Sequence, residues 1–442
     1  MSDIGTKDQE ISALSVSRWF DPFISVAIII AAYCLLYGTN LSNVQLALVL
    51  IFSTTAYLFV SELSRAPWRS TARPKQPLVQ LLDRTLTKFL GVIGGVVAML
   101  FAYWLFPEYH TVTQVAYLQE AIPLVLALII PAAFILIAYT EYRLGEKRDG
   151  TYQFGLFLRM RFKAIEWNTF LDGVLEWLVR LIFLSINFFS ALYFLSSLRA
   201  TGSPALPDTF VEAVIAIDGI IFALILFAIL PGYLFASRLI GTAVKKVDRS
   251  WFGWAITLSC YAPLNAAVFG SWVNYAALPQ MSDVFRGTPP WEYFTSSTPY
   301  ALYAVGGMII LTGLFHLWSE ALLGIRSANL SSRGVITTGP FRLTKHPVYV
   351  SKCIQWAFIY FPFLNAVGVL GNLQSGILFL LVCVLFAARS LAEEKLLAED
   401  PDYVRYALYM DEKGIFAWIG RIIPFMRFAW RYDLWKRNGY LS

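Results

Sequence analysis

The densest group of residues capable of chemistry is a segment, residues 337–352, that reads TTGPFRLTKHPVYVSK. Arg342, Lys345 and His346 precede Pro347, and long apolar runs flank this cap segment on both sides. Because proline suits the first turn of a helix, Pro347 predicts a helix start with His346 at its cap. The free N–H groups of a helix start favour an anion, and the basic side chains add positive charge. The cap segment therefore predicts a site for a carboxylate or a phosphate.

A second group of ionisable residues follows a later apolar run and reads ARSLAEEKLLAEDPDYVRYALY. Arg389 and Glu393 are four residues apart, which places them on one helix face, and Glu394 is adjacent. Tyr403 and Tyr406 are expected to line the next short helix. Taken alone, this pattern is more typical of an amphipathic interfacial helix with a solvated charged face. Its position relative to the cap segment weakens that interpretation.

Membrane helices are needed to bring the two groups together. The chain has 442 residues, of which 57% are hydrophobic and 14% charged, and apolar runs of membrane-spanning length recur throughout. We therefore predict an all-α integral membrane protein with about ten transmembrane helices and a cytoplasmic tail. The expected spans are about 23–38, 44–61, 89–106, 121–140, 174–198, 213–236, 252–276, 300–324, 347–370 and 374–391.

The last two expected spans are predicted to form a hairpin with a short outer loop from Leu370 to Gln374. Both ionisable groups then lie at the same end of the hairpin. His346 is expected to face Glu393 and Glu394 across a cleft at the membrane surface. A basic anion-binding cap opposite carboxylates suits a zwitterionic or cationic cofactor.

The distribution of basic residues predicts the orientation. Lys and Arg are concentrated in alternate loops, which by the positive-inside rule places both termini in the cytoplasm. The net charge of +6 is accordingly interpreted as a topology and lipid-surface signal, with no nucleic-acid partner. The polar first twenty residues predict no cleavable signal peptide.

Long loops divide the chain into three regions. Residues 1–145 are expected to hold four spans, residues 146–298 three, and residues 299–442 three spans and a charged tail. The run LGVIGGVVA in the third span predicts a helix-packing face of small residues. No strand followed by GxGxxG and no phosphate-binding loop is present, so helices and loops must hold any nucleotide-like cofactor.

The middle region contains charged residues within apolar sequence. Asp172, Glu176 and Arg180 recur every four residues, on one helix face, and Asp218 lies inside the next span. Charges in hydrocarbon are costly, which makes a functional role one explanation. A structural clamp in which Arg180 pairs with Glu176 or Asp218 is the other. Pro263 predicts a kink in the seventh span.

The motifs near the C-terminus resemble those of a known superfamily. RGVITTGPFRLTKHPVYVSK, the later R…EE…L…DY..Y pattern and the closing RIIP resemble the membrane-embedded isoprenylcysteine carboxyl methyltransferases and bacterial phospholipid methyltransferases. The resemblance covers about residues 299–425 and implies a C-terminal helical methyltransferase core. It implies that S-adenosylmethionine binds between the last helices and the tail, and that a lipid-borne group enters through a lateral opening. The poorly matching first seven spans indicate a bacterial subgroup with an extended N-terminal membrane region, in the inner membrane.

Roles for individual residues follow from this resemblance. Carried over by position, the cofactor-binding residues are Gly339, Phe341, Leu343, His346, Pro347, Tyr349, Arg389, Glu393 and Glu394, with Arg389 orienting the glutamates. The expected catalytic residues are Lys345, His346 and Glu394. From their own type and position, the expected lipid-binding residues are Arg342, Lys352, Tyr403 and Tyr406. For Lys352 a second interpretation is left open, in which its side chain only extends its ammonium group to the membrane interface. Lys345 stands where the family usually has Arg, which loses bidentate geometry. No metal site is expected.

The predicted reaction is methyl transfer to a lipid-borne acceptor. A carboxylate or phosphate acceptor needs no base, whereas an amine or hydroxyl needs one, for which Glu394 and His346 are the candidates. The basic lining favours the anionic acceptor. Two alternatives are an NADPH-dependent sterol-type reductase, which shares the basic-His-Pro-x-Tyr signature, and a transporter that uses Arg180, Glu176 and Asp218.

Overall fold

Helices dominate the structure. The computed structural model describes residues 9–66, 68, 74, 76–105, 112–200, 207–261, 289–295, 298–360 and 368–440. Within these ranges seven helices are long and apolar enough to cross a membrane, by their length and composition. The prediction of an all-α membrane-embedded protein is therefore confirmed.

The helices are numbered here in chain order. The first eight are α1 Asp21–Leu36, α2 Asn43–Arg65, α3 Leu78–Leu105, α4 Val112–Leu144, α5 Gly150–Leu158, α6 Trp167–Val179, α7 Ser185–Ala200 and α8 Phe210–Leu234. The others are α9 Trp251–Leu258, α10 Pro290–Thr295, α11 Pro299–Leu323, α12 Pro347–Tyr360, α13 Gly368–Leu397, α14 Pro401–Lys413, α15 Ala417–Ile422 and α16 Phe428–Arg437. A π-helical turn, Arg180–Leu184, joins α6 to α7. The strands β1, Lys246–Val247, and β2, Ser331–Ser332, pair antiparallel.

Seven of the expected spans correspond to the seven long apolar helices. The expected span 23–38 is α1, an apolar helix of 16 residues that is shorter than the others. The expected spans 252–276 and 347–370 are described only over α9 and α12. Pro263, where a kink was expected, lies outside the described residues.

Helix α8 lies at the centre of the membrane helices and packs against α2, α7 and α11. Ala228, Leu230 and Phe227 on this helix are almost completely buried, as expected for a helix that is apolar on all sides. Near its end, a Cβ atom on Gly232 would lie 2.3 Å from the carbonyl oxygen of Ser327. Gly232 therefore lets the loop after α11 pass directly over the end of α8.

The predicted small-residue face of the third span is confirmed as a packing surface. A Cβ atom on Gly91 would lie 2.1 Å from the carbonyl oxygen of Thr151 in α5, and one on Gly95 would overlap the ring of Trp177. Because both glycines lack a side chain, α3 approaches the backbone of α5 closely and leaves room for the Trp177 ring of α6.

The loop from α11 to the cap segment is anchored by a buried arginine. The guanidinium of Arg333 donates to the carbonyl oxygens of Gly232, Phe235 and Ile325. Burial lowers the pKa of Arg333 to about 10. Because these carbonyls lie at the ends of α8 and α11, Arg333 holds the cap segment against the membrane bundle.

The cap segment has the backbone that its prolines and glycine predict. A 3-10 turn covers Gly339–Arg342, with Gly339 at a φ of 59°, and α12 begins at Pro347. The predicted outer loop from Leu370 to Gln374 is wrong, because these residues belong to the first turns of α13, which starts at Gly368. The chain between α12 and α13 lies within 361–367, outside the described residues.

Candidate functional site

The carboxylate of Glu394 is the centre of a buried ionic cluster. Only 2% of Glu394 is exposed, and its Oε1 lies 3.1 Å from Nζ of Lys345 and 3.2 Å from Nε2 of His346. The guanidinium of Arg431 donates to Oε2. Three residues from two distant parts of the chain therefore balance one buried carboxylate, which fixes the positions of Lys345 and His346.

The same cluster ties the tail segment, residues 414–440, to the cap segment. Nζ of Lys345 lies 3.0 Å from Oδ1 of Asp411, and Oδ2 of Asp411 accepts from the backbone N–H of Ala429 at 2.8 Å. Lys345 also lies over the ring of Phe428, at 5.6 Å from its centroid. Asp411 therefore links α14 to the first turn of α16, where a carboxylate is favourable.

Glu393 differs from its neighbour because much of its side chain is accessible. The side chain is 44% exposed, and its Oε2 accepts a hydrogen bond from the hydroxyl of Tyr349 at 2.8 Å. The imidazole of His346 stacks on the ring of Tyr349, with centroids 5.6 Å apart. Glu393 is therefore a carboxylate held by one hydroxyl and open to a ligand.

Arg389 reaches Glu393 only through another residue. Its guanidinium donates to Asn329 and, at 3.4 Å, to the hydroxyl of Tyr261. It also lies over the ring of Tyr349, 5.1 Å from the centroid. Any orienting effect of Arg389 on Glu393 is thus indirect, because Tyr349 lies between the two charges.

One side of His346 borders a polar cavity of about 120 Å³. It lies between the ends of α8, α11, α12 and α13 and the loop at Ser327–Ser331. Six of the residues predicted to bind the cofactor line it: Phe341, His346, Pro347, Tyr349, Arg389 and Glu393. Asp248, Glu320, Asn329 and Lys352 also line it. The polar cavity therefore presents carboxylates and cations together, as a zwitterionic ligand requires.

The other side of His346 borders a larger cavity of about 440 Å³. This tail cavity lies between α12, α13 and the tail segment, and its volume is within the roughly 300–1,000 Å³ of ligand sites. Glu394, Asp411 and Arg431 line its polar end. Its rim consists of large apolar side chains that are at least 40% exposed: Leu343, Ile354, Phe416 and Met426. A lipid tail could therefore reach the ionic cluster laterally.

The two cavities share a wall. Lys345, His346 and Tyr349 line both of them. These side chains contact Glu393 and Glu394, which are consecutive in α13. The predicted meeting of His346 with the two glutamates is thus present, and it places one imidazole between a polar and an apolar space.

Four predicted site residues line neither cavity. Gly339 packs at its turn toward Leu322 and Trp318. Arg342 is exposed, and Tyr403 and Tyr406 lie in a buried cluster with Phe428. The structure thus places these four residues away from both cavities.

The hydroxyl of Tyr406 has a structural use. It donates to the carbonyl oxygen of Phe341 at 2.6 Å, next to a longer contact with the carbonyl of Thr344. Burial raises the pKa of Tyr406 and of Tyr403. Tyr406 therefore holds the turn ahead of α12 against α14 in its neutral, hydrogen-bonding form.

Several residues of the site have no counterpart among the predicted ones. Arg431 and Asp411 complete the ionic cluster, and Asn329 and Tyr261 hold Arg389. The charged, aromatic composition of α16 was the available signal for Arg431, because charges beside apolar sequence near a membrane surface need partners. Nothing in local spacing pointed to Asn329.

The charged residues of the middle region all have partners, and one of these pairs, Arg180 with Glu176, is the pair that the structural interpretation expected. Arg180 bonds Glu176 at 2.5 Å, and Asp172 bonds Arg249 at 2.7 Å. Asp218 accepts from the side-chain amide of Gln355 in α12 at 2.7 Å. Arg180 thus pairs with the nearer of its two proposed partners, along the same helix.

A search of the described ranges finds no group of three His, Cys, Asp or Glu side chains that could hold a metal ion. Comparison of the chain with protein-family models, with curated proteins and with solved structures finds no match. The function therefore has to follow from the two cavities and the residues between them.

Proposed function

We propose that this protein transfers a methyl group from S-adenosylmethionine to a lipid-borne anionic acceptor, a carboxylate or a phosphate. The observation that carries the proposal is the wall of Lys345, His346 and Tyr349 between a polar cavity and an apolar one. A charged, water-soluble donor needs a polar site, and a lipid acceptor needs an apolar one. The two sites must lie close enough for the donor and the acceptor to react. The motif resemblance of residues 299–425 agrees with this reaction.

The donor is assigned to the polar cavity. Its ammonium group would lie beside Glu393, whose accessible carboxylate is held by Tyr349. Its carboxylate would lie beside Lys352 and Arg389, which line the same cavity. At about 120 Å³ the cavity is smaller than most ligand sites, so binding requires it to widen toward the tail cavity.

The acceptor is assigned to the tail cavity. Its hydrocarbon would enter across the exposed apolar rim, and its anionic group would approach Lys345 and His346. The donor supplies a methyl group on positively charged sulfur, which an acceptor oxygen can attack directly while a neutral thioether leaves. An anionic oxygen needs no base, so the residues of this chain have to position the acceptor and exclude water.

The proposal extends to the arrangement in the membrane. It includes ten transmembrane helices, with both termini in the cytoplasm and residues 299–442 as the methyltransferase core. The concentration of basic residues in alternate loops supports this orientation. The inner membrane of a bacterium is the proposed location. The cap segment and the tail segment then lie at the cytoplasmic face, where the donor is available.

Ligand binding tests the proposal. Thermal stability of the detergent-purified protein would be measured with S-adenosylhomocysteine and, in parallel, with NADPH. Stabilisation by the homocysteine compound alone is expected, and Glu393→Gln should abolish it. Glu399→Gln is the matched control, because Glu399 pairs with Lys246 at a distance of 2.6 Å and lines neither cavity. Stabilisation by NADPH alone would instead support a reductase.

A further inference from the structure

The N-terminal membrane helices enclose a third cavity that methyl transfer does not use. This bundle cavity has a volume of about 360 Å³ and lies among α2, α3, α4, the helix from α6 through α7, and the end of α8. Its volume is within the range of ligand sites. Arg180 is the only charged residue among those that line it, and nearly all others are apolar.

Arg180 occupies an irregular position in its helix. It is the first residue of the π-helical turn Arg180–Leu184, and such turns are frequent at functional sites. One guanidinium nitrogen bonds Glu176, and the group lies 5.1 Å from the centroid of the Trp177 ring. The Nε atom is buried and has no hydrogen-bond partner among the described residues. A donor left unpaired in an apolar cavity is costly, and a ligand oxygen would remove that cost.

The charge around Arg180 favours an anion. Glu176 compensates one cation, while the guanidinium of Arg333 lies near enough to interact electrostatically with Arg180. Arg333 donates hydrogen bonds to the backbone carbonyls of Gly232, Phe235 and Ile325. These carbonyls are neutral, so they do not compensate its charge. Arg180 is therefore the charged end of a long apolar space, and a second cation lies near it.

We infer that the bundle cavity binds one hydrocarbon chain of an amphiphile whose carboxylate or phosphate lies beside Arg180. The chain would contact residues of α3 and α4, and the anionic oxygen would accept from the unpaired Nε of Arg180. Tyr233 lines both this cavity and the polar cavity, so Tyr233 would separate the bound chain from the polar cavity. The inference does not depend on methyl transfer.

Quenching of Trp177 fluorescence provides a direct readout, because Trp177 lines the cavity. The protein in vesicles of a neutral phospholipid would be titrated with a dibrominated fatty acid, whose bromine atoms quench tryptophans in contact. The signal of Trp177 is the difference between the wild type and Trp177→Phe. A saturable difference is expected for the fatty acid. The corresponding dibrominated alcohol, which has no charge, should bind about tenfold more weakly.

Two sets of variants separate the cavity from the surrounding bilayer. Val96 lines the cavity, whereas Val97 on the same helix is 56% exposed and faces outward. Val96→Phe should remove the saturable quenching, and Val97→Phe should leave it unchanged. The double variant of Glu176→Gln and Arg180→Gln removes both charges of the pair, so neither partner of the pair is left buried alone. It should bring the affinity for the acid down to that for the alcohol.

Each result has a defined consequence. Equal quenching in the wild type and in Trp177→Phe would overturn the inference, since the acid would then not occupy the cavity. Equal effects of Val96→Phe and Val97→Phe would overturn it as well. Saturable quenching that is the same for acid and alcohol would refute the role of Arg180. Thermal unfolding of every variant identifies those that fold, and the comparison is made among these.

Discussion

Replacement of Glu394 by glutamine should cost far more stability than the same replacement of Glu393, although the two residues are adjacent. Glu394 is 2% exposed and is the ionic partner of Arg431, whose side chain is only 4% exposed. Glu394→Gln leaves that guanidinium buried, with the carbonyl of Phe425 as its other hydrogen-bond partner. Breaking a buried ion pair in this way costs about 3–5 kcal/mol.

The expected cost for Glu393→Gln is below about 1 kcal/mol. The side chain is 44% exposed, and a glutamine oxygen can still accept the hydrogen bond from Tyr349. The free energy of unfolding would be measured for both variants by denaturant titration in mixed micelles. The effect of Glu393→Gln on ligand binding should be large although its effect on stability is small. The variant should stay folded and lose its thermal stabilisation by S-adenosylhomocysteine.

A double-mutant cycle makes the reasoning refutable. Arg431→Gln alone should destabilise the protein about as much as Glu394→Gln, and the double variant should recover part of the loss, because neither charge is then left unpaired. Additive losses would show that the pair is not coupled. A Glu394→Gln protein within about 1 kcal/mol of the wild type would refute the burial of an essential ion pair.

Three further predictions concern contacts that support the site. Tyr406→Phe loses the 2.6 Å hydrogen bond to the turn ahead of α12 and should cost about 1–3 kcal/mol in denaturant titration. Gly232→Ala places a methyl group against the carbonyl of Ser327 and should destabilise by about 1–3 kcal/mol. Gly219→Ala in the same helix meets no atom within 4 Å and should be neutral or stabilising by up to about 1 kcal/mol. Arg389→Lys keeps the charge and loses the planar fork, and should weaken binding of S-adenosylhomocysteine in calorimetric titration.

The contradicting outcomes are specific to each contact. Wild-type stability of Tyr406→Phe would mean that the turn does not depend on this hydroxyl. Equal stability of Gly232→Ala and Gly219→Ala would contradict the close approach at the end of α8. Unchanged binding in Arg389→Lys would show that a positive charge alone suffices beside Tyr349, since the guanidinium stacks on that ring.

The membrane helices were the most predictable part of the fold. Apolar length alone predicts ten spans, and seven of these correspond to long apolar helices in the structure. The glycines of α3 predict a packing face, because this signal also lies in consecutive residues. Pro347 likewise fixed the start of α12, since proline acts on its own backbone and on the preceding residue. The prediction of the hairpin loop at 370–374 was wrong, because α13 begins at Gly368 and these residues belong to its first turns.

The site was predictable only where its residues are close in sequence or lie on connected helices. His346 and the glutamates followed from the expected antiparallel arrangement of two helices. Arg431 pairs with Glu394 across 37 positions, and spacing along a helix carries no information about such a partner. Tyr406 matched a motif position, yet its hydroxyl bonds the backbone, and only the fold distinguishes that use from ligand contact.

Transfer of a labelled methyl group is the most direct test of the proposed function. The purified protein would be placed in vesicles of bacterial lipid extract with S-adenosylmethionine labelled in its methyl group. We expect label in the organic phase as an O-methyl group, and no such label with Glu393→Gln. Mild base releases the label as methanol if the acceptor is a carboxylate, whereas a methylated phosphate keeps its label in mild base and is identified by its mass. Label in a base-stable methylated amine would contradict the anionic acceptor. Absence of label, together with no stabilisation by S-adenosylhomocysteine, would contradict methyl transfer itself.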